Sequence, residues 1–206
     1  MKDNGRTFLE CIEKTIVLGI TGASGSPYAV RLTETLLEQG AVIHLVCTDN
    51  GRNVFAHEMG QALEEWAGAL AKRTGRLTLE DNGNLFSAIA SGSNLVDAVV
   101  IIPCSMSTLG EIVCGTGKTL LCRAADVALK EGRRLLIVPR ETPLNAIHLE
   151  NMLKLARMGA GILPAMPGFY NKPQTLDDAV AFVAGKALDW LGVPHNLTKR
   201  WEEPAK

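Results

Sequence analysis

Short runs of apolar, mostly β-branched residues recur along this chain, and they end at glycine, proline or a hydroxyl-bearing residue. We predict strands at residues 15–20, 41–46, 98–102, 135–138 and 161–163. Segments with a helical period separate these runs, and strands that alternate with helices are typical of right-handed βαβ units. The pattern therefore predicts an α/β fold with one doubly wound (Rossmann-like or flavodoxin-like) parallel sheet and helices on both faces.

The segments between the strands carry apolar residues at helical spacing. We predict helices at residues 27–39, 50–73, 107–113, 120–130, 145–158 and 176–191, and a loop at residues 74–84. No internal repeat or linker interrupts this pattern. The chain is therefore predicted to form a single domain over residues 1–206, with an N-terminal tail at 1–14 and a C-terminal tail at 194–206.

Composition and charge narrow the class of protein. Hydrophobic residues make up 47% of the chain and the mean hydropathy is +0.11, which is more than a two-faced sheet should bury, so we expect a homo-oligomer. A net charge of −1 argues against a nucleic-acid partner or an anionic membrane surface. The five cysteines form no C-x-x-C pair, and no signal peptide or membrane-spanning run is present, so we expect a cytoplasmic protein.

The segments that follow the predicted strands are rich in glycine, hydroxyl groups, proline or charge. They comprise residues 21–26, 47–50, 103–108, 139–142 and 164–170. The carboxyl ends of parallel strands share one edge of a sheet, and ligands of open α/β sheets bind beyond that edge. We therefore look for the functional site among these segments.

The turn at residues 22–26, Gly-Ala-Ser-Gly-Ser, joins the first strand to the first helix. Glycines let the backbone approach a phosphate, and a helix N-terminus adds N–H donors. A tight turn without a ligand is the alternative. The dinucleotide motif G-x-G-x-x-G fails at Ile20, and the nucleophile elbow G-x-S-x-G fails at Ser26.

Three other segments invite a functional interpretation. The stretch at 115–119 lacks the first glycine of a P-loop, because residue 112 is isoleucine, so we reject ATP binding there. Residues 103–108 suit an anion or flavin-edge site, although ordinary helix capping explains their hydroxyl groups equally well. Cys104 within this segment could be a nucleophile, but a buried packing cysteine is more common. The four histidines show no ligand spacing, so we predict no metal site.

Arg140 and Glu141 follow a predicted strand and lie between Pro139 and Pro143. This placement favours a function over a solvated surface ion pair. The proline-flanked loop at 168–170 could place an aromatic ring over a flat ligand.

Six motifs together resemble the flavin prenyltransferases, over residues 14 to 201. They are Gly-Ala-Ser-Gly at 22–25, Pro-Cys-Ser at 103–105, Arg-Ala-Ala-Asp-Val at 123–127, Pro-Arg-Glu-Thr-Pro at 139–143, Ile-His-Leu-Glu-Asn-Met at 147–152 and Pro-Ala-Met-Pro-Gly-Phe-Tyr at 164–170. The resemblance implies an alkyl-group transferase that joins the dimethylallyl group of dimethylallyl monophosphate to N5 and C6 of reduced FMN and releases phosphate. It also implies a homododecamer that needs no metal and passes prenylated FMN to a separate decarboxylase.

The resemblance also assigns residues to roles. It places the FMN phosphate and ribityl chain at Gly22, Ala23, Ser24 and Thr48, and the flavin at Ser105, Met106, Ser107, Thr108 and Arg123. It places the substrate phosphate among Lys130, Arg140, Tyr170 and Lys186, with Glu58 and Glu141 as active-site carboxylates. Relatives often have arginine in place of Lys186, which would replace a bidentate contact with a point charge.

Three alternatives come into question, and the first of them fails. A short-chain NAD reductase would need Tyr-x-x-x-Lys, but Tyr28 is followed by Leu32 at that offset and Tyr170 by Gln174. An FMN-dependent decarboxylase of the same fold, including a cysteine decarboxylase, is a closer rival. The third is a non-enzymatic, flavin-carrying subunit of an aromatic-acid decarboxylase system.

Overall fold

The computed structural model describes residues 14–198. The strands are β1 (Thr15–Ile20), β2 (Val42–Cys47), β3 (Leu77–Glu80), β4 (Ala98–Cys104), β5 (Arg134–Pro139) and β6 (Gly161–Ile162). The helices are α1 (Ser26–Glu38), α2 (Asp49–Met59), α3 (Leu63–Thr74), α4 (Met106–Val113), α5 (Leu120–Lys130), α6 (Ala146–Arg157) and α7 (Leu176–Leu191), with a short 3-10 helix at Ala88–Ala90.

The six strands form one parallel sheet in the order β3-β2-β1-β4-β5-β6. The chain moves outward in one direction from β1 to β3 and then crosses back to β4, which pairs with the other side of β1. The predicted doubly wound sheet is thereby confirmed. This strand order places the reversal point between β1 and β4, where such sheets open a crevice for ligands.

Two apolar cores lie on opposite faces of the sheet, because successive side chains of a strand point to opposite sides. On β1, Leu18 packs into the core that α1, α2, α3 and α7 cover, whereas Val17 packs into the core under α4, α5 and α6. Both side chains are fully buried. Burial on both faces explains why the strands consist of continuous apolar runs.

The predicted elements differ from the structure by more than one residue at three places. The predicted loop at 74–84 contains β3, an edge strand of four residues in which only Leu77 is buried, so its apolar signal is weak. The predicted helix at 50–73 is two helices, because Gly60 adopts φ +68° and ends α2. β4 continues two residues beyond its predicted end, through Pro103, where a register irregularity removes the need for an N–H donor.

The predicted tails fall mainly outside the described residues, which include only residue 14 of the first and residues 194–198 of the second. Within residues 14–198, no helix is both long enough and apolar enough to cross a bilayer.

Gly19 in β1 lets α5 approach the sheet closely. A Cβ atom at this position would lie 3.0 Å from Leu121 Cδ2 and closer still to Cδ1. We expect Gly19→Ala to lower the free energy of unfolding by about 1–3 kcal/mol, because overpacking a tight core forces side chains off their rotamers. Chemical denaturation measures this change.

Gly68 provides the matched control. A Cβ atom there would meet nothing within 4 Å, and the residue lies inside α3. Gly68→Ala should therefore leave the protein equally stable or stabilise it by up to about 1 kcal/mol through helix propensity. Equal stability of Gly19→Ala and the wild type would show that α5 is not held by this contact.

Candidate active site

A polar cavity of about 450 Å³ opens at the carboxyl ends of β1, β2 and β4. Its lining combines backbone, hydroxyl and amide groups with two carboxylates, from Gly22, Thr48, Asp49, Asn50, Asn82, Ser105, Ser107, Thr108, Glu111, Thr119, Leu121 and Cys122. This volume lies within the range of small-molecule sites. We call it the first cavity.

One buried hydroxyl group holds the floor of the first cavity together. Thr21 Oγ1 donates to the carbonyl of Pro103 (2.8 Å) and accepts from the backbone N–H of Ser105 (2.7 Å). The side chain is only 1% exposed. Thr21 thus ties the end of β1 to the end of β4. The sequence prediction did not include it, because a threonine after an apolar strand gives no distinctive signal.

Three helices begin at the first cavity, and each is capped by a hydroxyl side chain. Thr48 accepts from Gly51 N–H at the start of α2 (3.0 Å), and Ser105 accepts from Thr108 N–H at the start of α4 (3.3 Å). Thr119 caps α5 in the same way. The positive ends of three helix dipoles therefore face one cavity, an arrangement that attracts anions.

Several donors at this cavity are available for a ligand. Among residues 14–198, no hydrogen-bond partner is found for the backbone N–H of Gly22, Asn50 or Ser107. The Thr48 hydroxyl accepts a bond from Gly51, so its own O–H can still donate. These neutral donors suit a phosphate group. Met106, which was expected at the flavin, packs in the core and does not line this cavity.

The N-terminus of α1 is already occupied by a carboxylate of the same chain. Glu58 accepts from the backbone N–H groups of Gly25 (3.0 Å) and Ser26 (2.8 Å). Burial alone would raise the pKa of Glu58, but hydrogen bonds from the Ser24 and Ser26 hydroxyls and from these N–H groups lower it below its ordinary value. Glu58 is therefore an ionised, fixed carboxylate, and a phosphate at this turn must bind the earlier N–H groups, beginning with Gly22.

A second cavity of about 500 Å³ lies on the other side of the turn at 22–24. Ser24, Glu58 and Arg140 line its polar part, while Tyr28 and Val180 belong to its apolar wall. Arg140 Nε donates to the carbonyl of Ser24 (3.1 Å), which leaves its terminal nitrogens free for an anion. Burial raises the pKa of the Tyr28 phenol, Arg140 partly opposes this shift, and Glu58 adds to it. The net effect is a raised pKa, so the phenol is neutral near pH 7.

Glu141 lies beside Arg140 but outside the lining of both cavities. Its Oε1 accepts from the backbone N–H of Thr142 (3.1 Å), and its side chain is exposed.

Tyr170 and Lys186 are brought together by a residue that the sequence prediction missed. Phe182 lies one helical turn before Lys186 on α7; its ring centroid is 5.8 Å from that of Tyr170 and 5.7 Å from Lys186 Nζ. The i, i+4 spacing on α7 was the available signal. This group lies beside the loop that follows β6.

Within one chain, Lys130 does not lie beside Arg140, with which it was expected to surround the substrate phosphate. Arg123, which was expected at the flavin, does not line the first cavity. α5 starts at the carboxyl edge of the sheet and spans 11 residues, so Lys130 at its end lies about 15 Å away, towards the opposite edge. There it pairs with Glu131. Arg123 binds the carbonyl of Ala90 (3.1 Å) and the carboxylate of Asp126 (2.8 Å).

The cysteines at this edge are packing residues rather than nucleophiles. Cys104 is fully buried, and burial raises the pKa of its thiol far above the ordinary value. Burial likewise raises the pKa of Cys122 to about 11, and Cys47 to about 12. All three therefore remain thiols near pH 7.

Comparison with known proteins agrees with this geometry. The sequence model of the Flavoprotein family matches residues 9–188. The flavin prenyltransferase UbiX of Alkalihalophilus pseudofirmus is 52% identical over 201 residues, which cover 94% of this chain and 99% of that protein. The chain belongs to the flavin prenyltransferases of the flavoprotein family.

Two solved structures share the flavin prenyltransferase fold. AnUbiX (PadA1), in complex with FMN and dimethylallyl pyrophosphate, has a TM-score of 0.87 and 31% identity over 94% of this chain and 100% of that one. A dodecameric FMN-dependent UbiX-like decarboxylase from Escherichia coli O157:H7 has a TM-score of 0.85 and 40% identity over 91% and 99% of the two chains.

Thr21→Val tests the tie between β1 and β4. The substitution keeps the shape but leaves Ser105 N–H without its partner, so we expect the free energy of unfolding to fall by about 1–3 kcal/mol. FMN affinity, measured by fluorescence titration, should fall with it. Thr21→Ser keeps the hydroxyl and should retain most of both. Wild-type FMN affinity in Thr21→Val would show that the cavity does not depend on this bond.

Proposed function

We propose that this chain transfers the dimethylallyl group of dimethylallyl monophosphate to N5 and C6 of reduced FMN, with release of phosphate. The observation that carries the proposal is the pair of cavities that meet at the turn 22–24: one is lined by neutral phosphate-binding donors, and the other by Arg140 beside an apolar wall. Membership of the flavin prenyltransferases supports the same reaction.

The first cavity is the proposed FMN site. Gly22 and Thr48 line this cavity and would hold the phosphate and ribityl chain, together with Ala23 and Ser24 from the same turn. The segment 105–108 would line the flavin through its hydroxyl and N–H groups. When bound and reduced, FMN supplies the two atoms that receive the allyl group.

The second cavity is the proposed site of the allylic phosphate. A monophosphate leaves with developing negative charge, and the guanidinium of Arg140 is placed to stabilise it. The wall formed by Pro27, Tyr28, Leu176 and Val180 would shelter the five-carbon group from water. Because Glu58 is ionised and fixed, its role is to hold the turn that carries Ser24 rather than to donate a proton.

Neighbouring copies are proposed to complete the site. The E. coli relative is dodecameric, and we propose a homododecamer here as well, in which Lys130, Tyr170 and Lys186 act from surfaces that adjoin another copy's second cavity and Arg123 adjoins the flavin. Leu176, an exposed apolar residue in the lining of the second cavity, supports such a contact. We further propose a cytoplasmic location and transfer of prenylated FMN to a separate decarboxylase.

Glu141 is the proposed proton-transfer residue. An assay of the reaction tests both the proposed prenyl transfer and this role of Glu141. Purified protein mixed with reduced FMN and dimethylallyl monophosphate should form prenylated FMN, detected by mass spectrometry. In FMN-loaded Glu141→Gln, single-turnover product formation should fall by about two orders of magnitude, because general acid–base groups contribute ~10²–10⁴-fold.

Glu38→Gln is the control, because Glu38 is an exposed carboxylate at the far end of α1. It should react like the wild type. Product formation at the wild-type rate in Glu141→Gln would remove Glu141 from the mechanism. Release of carbon dioxide from an acid substrate, with no prenylated flavin formed, would favour the decarboxylase alternative.

Mixing two inactive variants tests the contribution of a neighbouring copy. Lys130→Ala and Arg140→Ala should each be nearly inactive alone. When they are co-expressed, some sites combine an intact Arg140 with an intact Lys130 from another chain, and random 1:1 assembly should restore roughly a quarter of wild-type activity. Absence of any recovery in verified mixed oligomers would show that the two residues do not act across chains.

A further inference from the structure

His57 on α2 lines the second cavity together with Ser24 and Arg140 and has no role so far. Asn53, one turn before it, lines an adjoining pocket that His57, Gly22 and Arg140 share. Both side chains are exposed. Among residues 14–198, no hydrogen bond or ion pair is found for the imidazole of His57.

The charges around His57 favour an anionic ligand. Glu58, the one carboxylate in this cavity's lining, is bound to the N–H groups of Gly25 and Ser26. Tyr28 is neutral, because its pKa is raised. The α7 side of the cavity contributes only apolar residues, including Leu176. Among the described residues that line this cavity, Arg140 is thus the only permanent charge whose terminal nitrogens are not bound within the chain.

His57 lies in the last turn of α2, whose C-cap is Gly60. A doubly protonated ring at this position would place a second positive charge in the cavity that contains Arg140.

We propose that His57, as imidazolium, is a further binding residue for the phosphate of the allylic substrate, and that it makes substrate affinity depend on pH. This inference rests on the proposed function of the second cavity. A protonated imidazole carries a positive charge and a neutral one carries none, so the added attraction is present at acidic pH and is lost as pH rises. Arg140 retains its charge throughout and maintains a lower, pH-independent affinity.

Two phosphate monoesters could in principle bind here, that of the allylic substrate and that of FMN. The free N–H groups of Gly22 and Ser107 and the Thr48 hydroxyl serve the first cavity, where FMN is proposed to bind. In FMN-loaded protein the proposed FMN site is already filled, so added anions report on the second cavity. The FMN dissociation constant of each variant shows whether His57 instead contacts the phosphate of FMN.

Sulfate is a suitable probe, because it resembles a phosphate dianion but keeps the same charge from pH 6 to 8. Its dissociation constant can be measured by calorimetry on FMN-loaded protein. We expect the wild type to bind sulfate about fivefold more tightly at pH 6 than at pH 8, the size of an exposed charge pair. His57→Gln should lose this pH dependence and bind at both pH values as the wild type does at pH 8.

His148→Gln is the matched control. His148 occupies the N3 position of the α6 capping box, where glutamine is also suitable, and it lies outside the lining of the second cavity. This variant should keep the pH dependence. In steady-state assays at pH 6, His57→Gln should raise KM for dimethylallyl monophosphate about fivefold with little change in kcat.

Equal pH dependence of sulfate binding in His57→Gln and the wild type would overturn the inference. So would a loss of FMN affinity in this variant with sulfate binding intact, because the ligand phosphate would then be that of FMN. The sulfate measurement needs no turnover. A protein that failed to prenylate FMN would therefore refute the proposed function without deciding whether His57 binds a dianion.

Discussion

The two hydrogen bonds of the Thr21 hydroxyl hold the rest of the site in place. After β1 and β4 the chain turns to opposite faces of the sheet. Thr21 joins the two strand ends, because its hydroxyl pairs with Pro103 and Ser105 and its backbone N–H donates to the carbonyl of Pro103 (3.3 Å). The turn at 22–24 begins at the next residue, and Ser105 itself caps α4. The positions of both cavities therefore depend on the bonds made by Thr21.

Charge then separates the two cavities. Within the described residues, the lining of the first cavity contains no lysine, arginine or histidine, so its attraction for anions comes from N–H groups and three helix dipoles. The second contains Arg140 and His57. Glu58 fills the N-terminus of α1, which would otherwise bind an anion between them.

The sequence was most informative where a pattern is local. β1, β4 and β5 are dense apolar runs, and the glycine-rich turn follows β1 directly, so the ligand edge could be predicted before the structure was seen. β3 escaped prediction because an edge strand with one buried residue has almost no hydrophobic signal. Thr21 escaped because its role depends on Pro103, 82 residues away. The family resemblance assigned Lys130 to the substrate phosphate. It carried no information on whether Lys130 lies at the carboxyl edge of the sheet or at the opposite edge.

The placement of Lys130 links chemistry to assembly. A helix that follows a parallel strand runs back along the sheet, so a residue at its C-terminus cannot serve the ligand edge of its own chain. Near Lys130, the guanidinium of Arg133 donates to the carbonyls of Gly92 and Asn94 (both 2.6 Å) and so fixes the segment before Leu95. The side chain of Leu95 is 82% exposed. A fixed, apolar surface next to an ammonium group is suited to packing against another protein chain. If Lys130 acts there, the active enzyme exists only in the oligomer, and subunit association and catalytic competence become one equilibrium.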